Sequence, residues 1–241
     1  MVHRILIVTA VAAEADSVAA GLGPGAPDPV PLPGGLALRR HGHIDVLVGG
    51  VGPAAVAAAT GTALACESLA GGGYGLVVSA GIAGGFQPAA PLGSVVVSSA
   101  IVAADLGAET PDGYLAVEEL GFGRSVHPVP EALTGRITAA LAAGGPSHVL
   151  APVLTVSTVT GTAPRAAELA GRHPEAAAEA MEGFGVAEAA AAHGVPVVEI
   201  RAVSNAVGPR DRAAWRIGEA LGALRHTFEL LGRTVLVEAH A

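Results

Sequence analysis

The chain has 241 residues, of which 51% are hydrophobic and 14% charged, and its formal net charge is −8. All 13 basic residues are arginine, and the absence of lysine excludes Schiff-base chemistry and a lysine-dependent phosphate loop. The acidic balance without a basic stripe argues against nucleic acid as a partner, and no apolar run approaches the roughly 20 residues of a membrane-spanning helix.

In chain order, Arg4–Thr9 is a β-branched run and reads as the first strand. Residues 11–22 read as a helix, with Glu14 and Asp16 in the opening turns where a helix N-terminus favours acids. The apolar start runs directly into these acids, unlike a signal peptide, so a cytoplasmic protein is expected. Residues 23–35 are crowded with Gly and Pro and read as a loop. Residues 36–40 and Ile44–Val48 read as strands around a His-Gly-His turn, and 54–69 as a helix with Pro53 in its first turn. The lone Cys66 in that helix can form no internal disulfide and reads as inert.

Residues 76–80 form an apolar run of the buried-strand kind and end in the Gly-rich stretch 81–85. Residues 94–102 read as strand, 106–123 as a loop or peripheral excursion, 131–143 as helix and 149–159 as strand. Ala163–Arg172 and 181–193 read as helices, 196–203 as a buried strand and 210–231 as a long closing helix, with Trp215 and Phe228 as core or subunit contacts. This alternation predicts one α/β domain over 1–241. Its architecture is expected to be a three-layer αβα fold around a mixed, largely parallel twisted sheet.

Ligands in such folds collect at the carboxyl ends of strands, so residues 9–14, 81–85, 158–162 and 204–209 are the ones to inspect. Glu14 reads either as an ordinary carboxylate of the first helical turn or as a general base at the mouth of the sheet. Gly81-Ile82-Ala83-Gly84-Gly85 reads either as a chain reversal or as backbone that lets a ligand approach closely. Its spacing is not the dinucleotide fingerprint. Met181-Glu182 opens a helix, where a Glu is commonplace. Arg201-Ala-Val-Ser204-Asn205 ends an apolar strand, and an arginine buried there must find a partner. His41 and His43 lack a second pair of ligands, so no metal is expected. Ser79 lies outside any nucleophile elbow.

Together and in this order, these stretches resemble the purine nucleoside phosphorylase and nucleosidase superfamily. Residues 5–14 resemble the opening strand and catalytic Glu of methylthioadenosine/S-adenosylhomocysteine nucleosidases. Val48-Gly-Gly-Val-Gly-Pro53 and Ser79-Ala-Gly-Ile-Ala-Gly-Gly85 resemble the two Gly-rich strand ends, and Pro91-Leu-Gly-Ser-Val-Val-Val97 the segment that follows. Glu179-Ala-Met-Glu182 is similar to the ribose-binding element, and Arg201-Ala-Val-Ser-Asn205 stands where those nucleosidases have Arg-x-x-Ser-Asp.

Two departures matter. The acid that serves adenine in those nucleosidases is replaced by Asn205. A carboxylate would repel the O6 acceptor of a 6-oxopurine, whereas a carboxamide can give N–H to O6 and accept from N7–H. Ile82 stands where the nucleosidases have Ser. An apolar group and the Glu14 carboxylate near the nucleophile position favour water over phosphate dianion. Residues 104–109, 111–113, 118–123 and 156–162 resemble the futalosine hydrolase branch.

What the resemblance implies is hydrolysis of an N-glycosidic bond, with release of hypoxanthine from futalosine in menaquinone biosynthesis. On that basis Glu14 and Asn205 are the expected catalytic residues. Glu182 and Met181 are expected at the ribose, with Gly81, Ile82, Phe86, Thr160, Gly161 and Thr162 around the substrate, and Ser204 and Arg201 holding the base loop. Arg39 or Arg40 is a candidate for the substrate's far carboxylate. No cofactor is implied; a nucleoside is the expected small-molecule partner, and a homo-oligomer the expected assembly. The competing readings are a methylthioadenosine/S-adenosylhomocysteine nucleosidase, a phosphate-dependent purine nucleoside phosphorylase, and a non-catalytic nucleoside sensor on the same fold.

Overall fold

The β-branched run at the start forms strand β1 (Arg4–Thr9), buried at every residue but the first. Helix α1 (Ala12–Leu22) follows directly, and the computed structural model describes residues 4–25 and 27–238 in all. Next come β2 (Asp28–Pro31), β3 (Ala37–His41), β4 (Ile44–Val48) and α2 (Pro53–Leu69), with Pro53 in its first turn as expected. The middle of the chain supplies β5 (Tyr74–Gly85), β6 (Val95–Ala103), β7 (Gly107–Thr110), β8 (Gly113–Ala116), β9 (Val126–Pro128) and α3 (Glu131–Ala142). The remainder is β10 (His148–Thr155), α4 (Ala163–Arg172), β11 (Ala178–Ala180), α5 (Gly183–Ala192), β12 (Val197–Ala206), α6 (Ile217–Leu231) and the short α7 (Val235–Glu238).

The main sheet runs β11-β10-β6-β12-β5-β1-β4-β3-β2, with β9 added on β6. Strands β12, β5, β1 and β4 are parallel neighbours, whereas β6 runs antiparallel to β12 and β3 antiparallel to β4. The mixed, largely parallel α/β architecture expected from the sequence is therefore present. One pairing goes beyond it: β11 bonds to β5 as well as to β10. The strands β5, β11, β10, β6 and β12 thus close into a ring.

Helices cover both faces. Helix α1 lies against α6 at Gly21, where a Cβ would strike the Arg225 carbonyl, and α2 lies against α5 at Gly185, where a Cβ would strike the backbone of Pro53. At the amino end of the sheet, fully buried Asp45 accepts from Arg4 (Nε and Nη2, both 2.8 Å), Arg40 (Nε 3.0 Å, Nη2 3.1 Å) and the Tyr74 hydroxyl (2.8 Å). This carboxylate ties β1, β3, β4 and β5 together. Burial acting on Asp45 would raise its pKa, but the donors outweigh it and hold the carboxyl below its ordinary value.

Several boundaries differ from the sequence reading. Residues 81–85 are no turn: β5 continues through them, because Gly84 and Gly85 are paired on both sides by β11 and β12. The Gly- and Pro-rich stretch 23–35 contains β2, an edge strand where prolines are tolerated. Residues 106–123 contain the β7–β8 hairpin. The last helix starts at Ile217, not at 210: the Arg216 N–H is taken by the Ser204 carbonyl at 2.8 Å, which ties the chain to the end of β12 first. Trp215 consequently precedes that helix and lies beneath the Arg210 guanidinium, while Phe228 is in the core. The strand expected over 149–159 stops at Thr155, and the helix expected from 181 starts at Gly183. Three-residue strands such as β9 and β11 carry too little pattern to be read.

Candidate active site

Glu14 is the third residue of α1 and 4% exposed. Its Oε2 accepts from the backbone N–H of Ala10 (3.0 Å) and of Val11 (3.3 Å). The Val11 bond is the ordinary duty of a carboxylate at this helix position. The Oε1 atom does something else: it crosses to β5 and accepts from the Ile82 N–H at 2.8 Å. Glu14 is thus fixed between the end of β1 and the neighbouring β5: it is a carboxylate of the first helical turn that also reaches across to the next strand.

Arg201 lies in β12, 1% exposed, in register with Gly81 of β5. Its Nε donates to Glu199 Oε1 at 2.7 Å, its Nη2 to Ser79 Oγ at 3.2 Å, and its Nη1 lies 3.2 Å from Glu182 Oε2. A Cβ at Gly81 would sit 2.5 Å from both Arg201 Nη1 and Glu14 Oε1. The missing side chain therefore lets the guanidinium and the Glu14 carboxylate converge over the same Cα. Burial would lower the Arg201 pKa, but the charges of Glu199, Glu182 and Glu14 outweigh it and hold the group above its usual value. Burial pushes Glu199 up against the pull of Arg201.

Glu182 stands at the N-cap position of α5 but its side chain makes no capping bond; its Oε1 accepts instead from the Gly52 N–H at 3.2 Å, at the loop after β4. Met181 is beside it and half-buried. The partner expected for Arg201 is thus two carboxylates, of which Glu199 was missed. Its signal was available, since a residue two before Arg201 on a strand shares its face. Gly183 has no side chain because the Glu199 carboxyl occupies the space a Cβ would take.

Asn205 pairs in register with Gly84, after a bulge that displaces Ser204. Its Nδ2 donates to the Ala206 carbonyl (3.0 Å), and its Oδ1 accepts from Ser204 Oγ (2.9 Å). Thr160 is buried and bound to Glu179: its N–H donates to Oε1 at 2.8 Å and its hydroxyl to Oε2. Burial raises the Glu179 pKa, and the Thr160 bonds pull it back. Gly161 is exposed and joined to the loop after Asn205 by the Arg210 N–H (3.1 Å). Thr162 serves as the N-cap of α4.

Phe86 follows the last residue of β5 directly, whereas the two candidate arginines lie elsewhere. Phe86 packs on the cluster of Val102, Leu154, Val156 and Leu169. Arg40 is bound to Asp45 and Glu67 at the amino end of the sheet, away from these strand ends, and Arg39 pairs with Asp16 of α1. Among the described residues no three His, Cys, Asp or Glu side chains converge as metal ligands, and no helix is long and apolar enough to cross a membrane.

Residues 5–235 match the model of the phosphorylase superfamily. The chain is 60% identical over 221 residues to a futalosine hydrolase of Streptomyces coelicolor, covering 92% of each chain. It is 47% identical to a futalosine hydrolase of Acidothermus cellulolyticus, covering 94% of this chain and 89% of the other. Its fold is that of the Helicobacter pylori 5′-methylthioadenosine/S-adenosyl homocysteine nucleosidase, with a TM-score of 0.80, 18% identity and 98% of each chain covered. The chain belongs to the phosphorylase superfamily and, within it, to the futalosine hydrolase family.

Proposed function

We propose that the protein hydrolyses the N-glycosidic bond of futalosine, releasing hypoxanthine and dehypoxanthine futalosine, as a step of menaquinone biosynthesis. The observation that carries this reading is the convergence of Glu14 and Glu182 on Arg201 over Gly81, with Asn205 four residues further along β12. Glu182 takes the ribose hydroxyls, with Met181 against the sugar. Glu14 orients water and receives its proton as the oxygen bonds to the anomeric carbon. The electron pair of the broken C–N bond goes to the purine, which takes a proton from solvent at N7. Asn205 gives N–H to O6 and accepts from N7–H. Gly81, Ile82 and the 160–162 loop border the substrate, and Ser204 and Arg201 hold the machinery in place. Phe86 is the further candidate for the purine wall.

Burial of Arg201 together with Glu14, Glu182 and Glu199 supports hydrolysis over phosphorolysis, because a phosphate dianion would meet carboxylates at the nucleophile position. One domain over 1–241, a cytoplasmic location and a homo-oligomeric assembly belong to the same reading; exposed Val51 and Phe122 offer apolar surface for self-association. The test is incubation with futalosine, inosine and methylthioadenosine, with and without phosphate. Phosphate-independent release of hypoxanthine from futalosine is expected. Phosphate dependence, or faster release of adenine, overturns the reading.

A further inference from the structure

Arg201 is one cation among three buried carboxyl groups. Glu14, Glu182 and Glu199 are 4%, 6% and 0% exposed, and Arg201 is 1% exposed. Among the described residues no other cation ion-pairs with any of the three. With all three ionised against one guanidinium, the cluster would carry a net double negative charge away from water, which is costly. One proton held within the cluster halves that excess.

The three groups are not equally equipped to be anions. Glu14 accepts from three backbone N–H groups, those of Ala10, Val11 and Ile82. Glu182 accepts from the N–H groups of Gly52 (3.2 Å) and Met181 (3.3 Å), and has Arg201 Nη1 at 3.2 Å. Hydrogen bonds of this kind favour the ionised form. Glu199 has no backbone donor. Its Oε1 receives the Nε–H of Arg201 at 2.7 Å, and its Oε2 has no hydrogen-bond partner among the described residues. That oxygen is packed against the backbone of Gly183, in the space a Cβ would fill. An unpaired buried oxygen costs more in an anion than in a neutral acid.

The elements packed on β12 bring no further cation to Glu199. Strands β5 and β6 present hydroxyls: Ser79 Oγ accepts from Arg201 Nη2, and Ser98 Oγ accepts from the Glu199 N–H. Helix α5 brings Glu182 at its start, and its Glu188 is taken by Arg124 and His127. Helix α6 turns Ala220, Leu224, Thr227, Phe228 and Leu231 inward, none of them titratable. Burial pushes the Glu199 carboxyl above the usual carboxylate range; Arg201 pulls it back, and Glu182 adds to the rise.

We propose that Glu199 holds a proton in the working enzyme and acts as a neutral positioning residue for Arg201. Its Oε1 orients the guanidinium through Nε without competing for the charge, which is left to Glu182 and Glu14. The inference rests on the reading of those two residues as the groups that meet ribose and water, and it deepens it. When Glu199 ionises at alkaline pH, the guanidinium is shared with a third anion and turnover falls.

The experiment compares the parent with Glu199→Gln, a permanently neutral side chain of the same shape. The native parent keeps a proton at Glu199 that the unfolded chain releases above about pH 4.3. Parental stability therefore falls as pH rises from there towards the folded value, and the glutamine has no such loss. Glu199→Gln is expected to melt at least about 3 °C above the parent at about pH 8, with the gap closing towards about pH 4. Its kcat/KM for futalosine is expected to hold to higher pH than the parent's. Glu199→Met is also neutral but offers Nε no acceptor, and is expected to lose about 10- to 100-fold in kcat with a smaller change in KM. A lower melting temperature of Glu199→Gln at neutral pH, or its failure to fold, means that an ionised Glu199 was pairing with Arg201 and overturns the proposal. An unmoved alkaline limb, or parental kcat in Glu199→Met, does the same. Absence of hypoxanthine release by the parent is a different failure: it removes the functional reading, while the melting comparison still decides where the proton sits.

Discussion

Glu199 and Arg201 stand two residues apart on β12, both essentially inaccessible to solvent, with Arg201 Nε donating to Glu199 Oε1 at 2.7 Å. The same guanidinium reaches Ser79 and Glu182, so one arginine spans a fully buried carboxyl group and the carboxylate at the start of α5. Removing a single partner of a buried pair leaves an uncompensated charge, and the loss is on the order of 3–5 kcal/mol. Arg201→Met is accordingly expected to lower unfolding free energy by that amount in urea titration and to abolish turnover. A variant with unchanged midpoint would mean that the pair does not stabilise the fold.

Glu14 lends itself to a cleaner functional test. Its amide analogue keeps the size and one acceptor oxygen, but brings an NH2 to a place where three backbone N–H groups already point. Glu14→Gln is expected to lower kcat by about 10²–10⁴, the usual contribution of a general base, with circular dichroism of the native form. Near-normal turnover in this variant would remove Glu14 from the proton transfer.

The two residues differ in how far the sequence disclosed them. Glu14 was identifiable from its position just after a β-branched strand, and its helix-capping bond to Val11 was equally readable. Its bond to Ile82 was not, because that depends on β1 and β5 lying side by side. Arg201 declared a need for a partner by being charged within an apolar run, and Glu199 was visible two residues earlier. Glu182 required the fold to bring α5 to the loop after β4. The Gly81–Gly85 stretch misled for a physical reason: glycine signals a turn when its freedom serves φ, but here none of these five residues has positive φ. Gly81, Gly84 and Gly85 are glycines because groups from elsewhere in the chain come too close for a Cβ, which no local pattern records.

Asp45 gives a prediction about stability and acid at the far end of the sheet. Its pKa is lower in the folded protein than in the unfolded chain, held there by Arg4, Arg40 and Tyr74 against the effect of burial. Such a group stabilises fully above its unfolded value of about 3.9 and loses that contribution as pH falls through the depressed folded value. Asp45→Asn is expected to lower stability by about 3–5 kcal/mol near neutrality, since it leaves two arginines without their shared partner. The difference in melting temperature between variant and parent should narrow as pH is taken below about 4. A constant difference across that range would mean the carboxylate charge contributes nothing.

Asn205 is the residue proposed to read the leaving base. The side chain sits at the end of β12 beside Gly84, with Oδ1 held by Ser204 Oγ at 2.9 Å and Nδ2 by the Ala206 carbonyl at 3.0 Å. Asp is nearly isosteric, so Asn205→Asp should fold and retain the Ser204 bond, which it can still accept. It loses the N–H that would meet O6 and places a carboxylate oxygen there instead. Measured as a ratio of kcat/KM for inosine to that for adenosine, the variant is expected to fall at least about tenfold below the parent. The ceiling is the roughly 10⁴ that a buried polar site can impose when its pattern is matched or mismatched. The acid also supplies a proton donor at N7 when protonated, so turnover of the adenine nucleoside should rise in absolute terms below neutral pH. If the ratio holds constant and adenosine remains as poor a substrate as before, the identity of the base is read elsewhere in the cleft, and the amide at this position only secures the loop.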